Sequence, residues 1–173
     1  MVYINKNEAF TRLNNIFNNK QAGFEYLRNT LIFERMLDEV ITFNRKINWE
    51  SNSANLKLVT TAEEFIKICN LRSEIYGNLG YQKEFPDFLP NMNFDFYDLN
   101  SAIIYNLTNS EITATCRLIF DSDKKLPIEE KLDLSSIRNK FQNIAEVSRL
   151  MVRKEQKGLN LDFKYLTLGI YNI

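Results

Sequence analysis

Histidine is absent from this 173-residue sequence. Its absence removes Ser-His-Asp and Cys-His nucleophiles, HExxH metal sites and histidine general bases together. Any acid–base chemistry therefore falls to a carboxylate, a lysine, a tyrosine, water or the backbone. Glycine is scarce at five residues, and neither GxGxxG nor the P-loop GxxxxGK occurs, which argues against dinucleotide and nucleoside triphosphate chemistry. The two cysteines, Cys69 and Cys116, are too few and too isolated for a disulfide framework or a zinc site, so no metal is expected. Net charge is lacking too. Lys plus Arg and Asp plus Glu number 22 each, and the summed field favours neither nucleic acid nor an acidic membrane surface. No apolar run approaches the roughly 18–20 residues of a membrane span, and no signal-peptide pattern opens the chain, so a cytoplasmic protein is expected.

What remains is a globular composition, 45% hydrophobic and 25% charged, long enough for one domain with a small appendage. Residues 1 to about 47 carry helical spacing. Phe10, Leu13 and Phe17 share a face, Gly23 is expected to interrupt, and Phe33, Met36, Leu37, Val40 and Ile41 form a longer pattern. The polar stretch Asn48 to Asn55 reads as a linker, dividing a helical extension (1–50) from the main domain (51–173). Leu56 to Thr60 reads as a short strand. Thr61 and Glu64 then match a capping box that opens a helix, with Phe65, Ile68, Cys69, Leu71, Ile75 and Tyr76 on its buried side. Arg72 falls among these positions, so it either snorkels or points into a cleft.

A turn-rich region, 77–90, leads to Asp95 and Asp98, two carboxylates three apart among aromatics; read alone, they are turn and cap residues. Ser101 to Thr108 and Glu111 to Asp121 read as a hairpin joined at Asn109-Ser110. Arg117 breaks the apolar pattern of its second strand, and Cys116 beside it has no histidine to activate it. Pro127 to Phe141 holds short helical turns whose Leu126, Ile128, Leu132, Leu134 and Ile137 are expected to cover the sheet. Leu161 to the end again has helical spacing.

The stretch Asn143 to Val152, NIAEVSRLMV, is a strand by composition, yet it carries Glu146 and Arg149. Charges inside a sheet are costly unless paired or facing a wet cleft, so an ion pair, an edge strand and a reactive site all remain open. Residues three apart in a regular strand face opposite ways, so both side chains can serve one site only across a bulge or a strong twist. Mixed helices and consecutive antiparallel strands give an α+β or mixed α/β domain. The chain stops within an apolar helical pattern, so a missing C-terminal half is expected.

Taken in order, these motifs resemble the N-acyl amino acid synthases and acyl-homoserine-lactone synthases of the GNAT superfamily. The matching features are Arg72, Tyr76 with Gly80-Tyr81, Asp95 with Asp98, Arg117-Leu118, and Glu146 with Ser148-Arg149, spread over residues 56 to about 170. The resemblance implies a mostly antiparallel GNAT-like sheet and an N-acyltransferase. Such an enzyme moves a fatty acyl group from acyl carrier protein or acyl-coenzyme A to the amine of an amino acid or related small molecule. No tightly bound cofactor is implied. In that scheme Glu146 is the catalytic base. Arg72, Asp95, Asp98, Arg117, Ser148 and Arg149 bind substrate, and Met151 and Val152 line the donor's pantetheine arm. The GNAT pyrophosphate loop, Q/R-x-x-G-x-G/A, is replaced by Glu155-Gln-Lys-Gly158-Leu-Asn160, which favours acyl carrier protein as donor and partner, with Lys154 and Lys157 available to meet it. An ordinary GNAT acetyltransferase and a non-catalytic half-domain acting as a binding module are the alternatives.

Overall fold

The computed structural model describes residues 20–51, 53–86, 88–153, 164, 166, 167, 169, 170 and 173. A long helix, α1 (Lys20–Arg45), precedes strand β1 (Leu56–Leu58) and helix α2 (Ala62–Leu79). The hairpin β2 (Ser101–Thr108) and β3 (Glu111–Phe120) follows, then a short helix α3 (Ser135–Arg138) and strand β4 (Ala145–Val152). The four strands form one antiparallel sheet in the order β1-β2-β3-β4. This is an α+β arrangement consistent with a GNAT-like fold. The expected strands, hairpin and central helix are all present. The helical pattern at 10–17 and the loop at 154–160 lie outside the described residues; of the stretch after Leu161, Lys164, Leu166, Thr167, Gly169 and Ile170 are helical.

Local rules account for most element ends. The Thr61 hydroxyl accepts the Glu64 N–H while the Glu64 carboxylate takes the Thr61 N–H, so two orphan donors at the start of α2 are satisfied together. Gly80 ends the helix at φ 75°, a left-handed conformation that suits glycine. Asn109 and Ser110 both take positive φ, the requirement of a two-residue turn whose twist matches that of the strands. Gly23 does not interrupt, since α1 begins at Lys20 and runs through it. A helical glycine costs only about 1 kcal/mol, which the packing of a 26-residue helix outweighs.

The sheet has two unlike faces. On one, Ile103 and Tyr105 pack with Phe33, Met36 and Val40 of α1 and with Phe65 and Ile68 of α2. On the other, Ile104, Ala114 and Cys116 meet Leu56, Leu58 and Leu166. Helix α1 is tied to the sheet by a buried side chain. Asn44 donates to Ser101 O at 2.9 Å and accepts from Ile103 N–H at 2.9 Å. Asn44→Ala would strand both backbone groups, and the expected loss of about 2 kcal/mol would show as a lower thermal midpoint with unchanged secondary structure. The 126–141 connection covers the sheet less than its apolar spacing predicts. Leu126 is buried, but Leu132 and Ile137 are exposed, because the short helical turns carry them outward.

β4 lies at the edge of the described sheet. Among the described residues its charges are therefore on an edge strand, and all of its residues except Met151 are half-buried or exposed.

Candidate functional site

The pairing of β3 with β4 sets the site. Arg117 lies opposite Ser148, and Ile119 opposite Glu146, but the next recorded pair is Thr115 with Met151. Arg149 and Leu150 thus face the single residue Cys116. That is a β-bulge, and Arg149 adopts φ 53° there. Glu146 and Ser148 share the face of Arg117 by alternation, and the bulge turns the Arg149 side chain onto that face as well.

Seven of the residues singled out from the motifs form one hydrogen-bonded network. Arg72 Nη1 donates to both oxygens of Asp98, at 2.9 and 3.0 Å. Arg117 Nη1 reaches Asp95 Oδ1 at 2.6 Å and Asp98 Oδ1 at 3.0 Å, and its Nη2 reaches Asp95 Oδ2 and the Ser148 hydroxyl at 3.3 and 3.4 Å. Arg149 Nη2 donates to Asp95 Oδ2 at 3.4 Å, and its Nη1 to the Tyr76 hydroxyl at 2.9 Å. Asp95 and Asp98 are also turn residues. Asp95 caps the 3-10 turn Phe96–Asn100 through the Tyr97 N–H, and Asp98 takes the Asp95 N–H. The turn-and-cap reading of these carboxylates therefore holds, and the same oxygens also pair with arginines. Arg72 neither snorkels nor enters a cleft. It is fully buried against Asp98, from 26 residues further along the chain.

Burial by itself would raise the Asp98 pKa, but the guanidiniums of Arg72 and Arg117 outweigh it and hold the carboxyl below the usual aspartate range. Burial opposes the charge on Arg117 too, and Asp98 and Asp95 more than restore it. A depressed carboxyl pKa contributes stability that is fully present above the unfolded value and is lost as pH falls through the folded one. Asp98→Asn should therefore flatten the acid limb of a stability-against-pH curve below about pH 4. An unchanged limb would show that Asp98 does not link folding to pH.

Three arginines meet two aspartates in this network, which leaves one positive charge in surplus. Arg149 is the most open of the three arginines, with its side chain 16% accessible. Its guanidinium lies 4.0 Å from the Phe85 ring centroid and 5.4 Å from that of Tyr76. Glu84, 4.0 Å away, is largely in solvent.

Glu146 stands apart from the network. Its Oε2 accepts the Ile128 N–H at 2.9 Å, and it lines an open groove of about 470 Å3 with Leu126, Ile128, Leu134, Ile137, Ile144 and Val147. Met151 is buried opposite Thr115, and Val152 packs on the opposite face of the sheet from the network. The thiols of Cys69 and Cys116 are both buried; burial pushes Cys116 up to about 12 and Cys69 higher still, so neither is a nucleophile. Sequence reasoning did not single out Phe85, Tyr97 or the Ile128 N–H. Phe85 gave a faint signal as one aromatic in a turn-rich stretch, and the other two gave none.

The family model for N-acyl amino acid synthase FeeM matches residues 67–172, more than half of the chain. The chain belongs to this family. It is an acyltransferase, and the reaction of its family is the synthesis of N-acyl amino acids. No curated protein and no solved structure matches it. The family match takes in every residue of the charged network together with Glu146, and it leaves out α1. No helix among the described residues is long and apolar enough to cross a membrane.

Proposed function

We propose that this FeeM-family chain transfers a long-chain acyl group from acyl carrier protein to the α-amine of an amino acid in the cytoplasm. The observation that carries the proposal is the bulge at Arg149. It sets a cation with surplus charge on the same strand face as the Glu146 carboxylate, with Ser148 between them. An amino acid has the matching polarity. Its carboxylate fits the outer side of Arg149, and its amine then points along β4 towards Glu146. In this reading Arg149 and Ser148 touch the acceptor, while Arg72, Asp95, Asp98 and Arg117 hold them in place.

The chemistry needs no histidine. The amine lone pair attacks the thioester carbonyl carbon, the C–N bond forms, and the carbonyl oxygen takes negative charge. A bulge leaves one residue outside the regular ladder, and its N–H is the donor for that oxyanion. Glu146 takes the proton lost by the amine and passes it to the departing thiolate as the C–S bond breaks. The products are an amide and a free thiol. Met151 and Val152, just beyond the bulge, would flank the pantetheine arm.

An acyl carrier protein donor is favoured because the run 155–160 departs from the GNAT pyrophosphate pattern at both ends. Steady-state rates with matched acyl-acyl carrier protein and acyl-coenzyme A test this directly. The carrier protein should give the higher kcat/KM, and its advantage should shrink as salt screens the encounter. An equal or higher kcat/KM with acyl-coenzyme A would overturn the choice of donor.

A further inference from the structure

Glu146 is held by a backbone N–H that belongs to an irregular connection, and the structure shows what fixes that connection. Ile128 sits in the 3-10 turn Pro127–Glu130. The turn begins where Glu129 Oε2 accepts the Leu126 N–H at 2.8 Å. Glu129 is in turn gripped by Arg138, with Nε to Oε1 at 2.8 Å and Nη2 to Oε2 at 2.5 Å. The same guanidinium makes a two-pronged bond to Asp121, just past the end of β3, at 2.6 and 2.8 Å. Arg138 thus ties the turn to the sheet. The hydrogen bonds from Arg138 and the Leu126 N–H hold the Glu129 carboxyl down at about 2, so the tie stays charged through mildly acidic conditions. The next residue, Glu130, accepts from the Tyr97 hydroxyl at 3.2 Å, so the same turn also contacts the residue after Phe96.

We propose that Arg138 is a positioning residue for acyl transfer: its bridge between Asp121 and Glu129 sets the Ile128 N–H against Glu146 and so aims the carboxylate at the acceptor amine. This rests on the reading of Glu146 as the base. Four hydrogen bonds from one planar guanidinium to two carboxylates fix both the place and the tilt of the turn, which a lysine ammonium cannot do. Among the described residues, the Ile128 N–H is then the hydrogen bond by which the turn reaches the Glu146 carboxylate.

The chain of contacts predicts a thermodynamic cycle. Arg138→Ala removes the tie. An amide-to-ester replacement at Ile128 (the α-hydroxy analogue of isoleucine at that position) removes the N–H while keeping the side chain, where proline would push Pro127 out of its turn conformation. Each should lower kcat about tenfold, with KM for both substrates held within about twofold, because a misaimed base loses rate and not binding. Combined, they should cost little more than either alone, since both break one path. Arg138→Lys should not restore the rate. Additive losses in the double variant, or a rate near the parent's in the Ile128 ester, would overturn the proposal. Should Arg138→Ala fail to fold, as thermal melting would show, the Ile128 ester alone decides. Glu146→Gln, measured alongside, separates the two readings. Full activity there removes the base itself, whereas a dead Glu146→Gln beside an unaffected Ile128 ester removes only the positioning role.

Discussion

Glu146→Gln is expected to lower kcat at least about 100-fold while leaving the thermal midpoint nearly unchanged. The amide keeps the shape of the side chain, and its oxygen still accepts the Ile128 N–H, so the fold loses little. What it loses is the capacity to take the amine proton. No histidine exists anywhere in the chain to substitute. The neighbouring carboxylates are not free to do so, because Asp95 and Asp98 are engaged with arginines and Glu130 with the Tyr97 hydroxyl. Rates measured at saturating acceptor and donor isolate the chemical step. Unchanged kcat would show that another group, or water alone, carries the proton.

Arg117→Ala should act on the fold first. Its side chain is fully buried and carries four hydrogen bonds, to Asp95, Asp98 and Ser148. Among the described residues, removing it leaves Asp95 with only the 3.4 Å cation contact to Arg149 and Asp98 with only Arg72, and breaking such a buried pair costs about 3–5 kcal/mol. Arg149→Ala offers the contrast. That guanidinium lies at the rim, on Phe85 and Tyr76, so its loss should raise the acceptor KM far more than it lowers stability. Urea denaturation of both variants beside their kinetics checks the split. Two variants with the same stability and the same KM would mean that the network does not divide into a buried support and an exposed binding end.

Much of this site was legible because its motifs are local. The capping box at Thr61, the hairpin at Asn109-Ser110 and the strand around Glu146 each follow from residues within a few positions of one another. Even the bulge was foreseeable, since a glutamate and an arginine three apart cannot share a regular strand face. The partners of the charges were not legible. Arg72 looks like a misplaced cation on an apolar helix face until Asp98 folds over it, and nothing within either segment encodes that meeting. Arg138 carries no local signal that sets it apart, although it joins the end of β3 to the turn that holds Glu146. The outward-facing Leu132 and Ile137 were misleading for the same reason: periodicity marks a face as apolar but does not say that anything covers it.

The most direct test of the account is mass spectrometry of the products formed when the chain is incubated with a long-chain acyl-acyl carrier protein and a mixture of amino acids. The account predicts N-acyl amino acids whose amount rises with enzyme and falls to background with Glu146→Gln. A folded chain that leaves the thioester intact, or hydrolyses it without forming an amide, would contradict it.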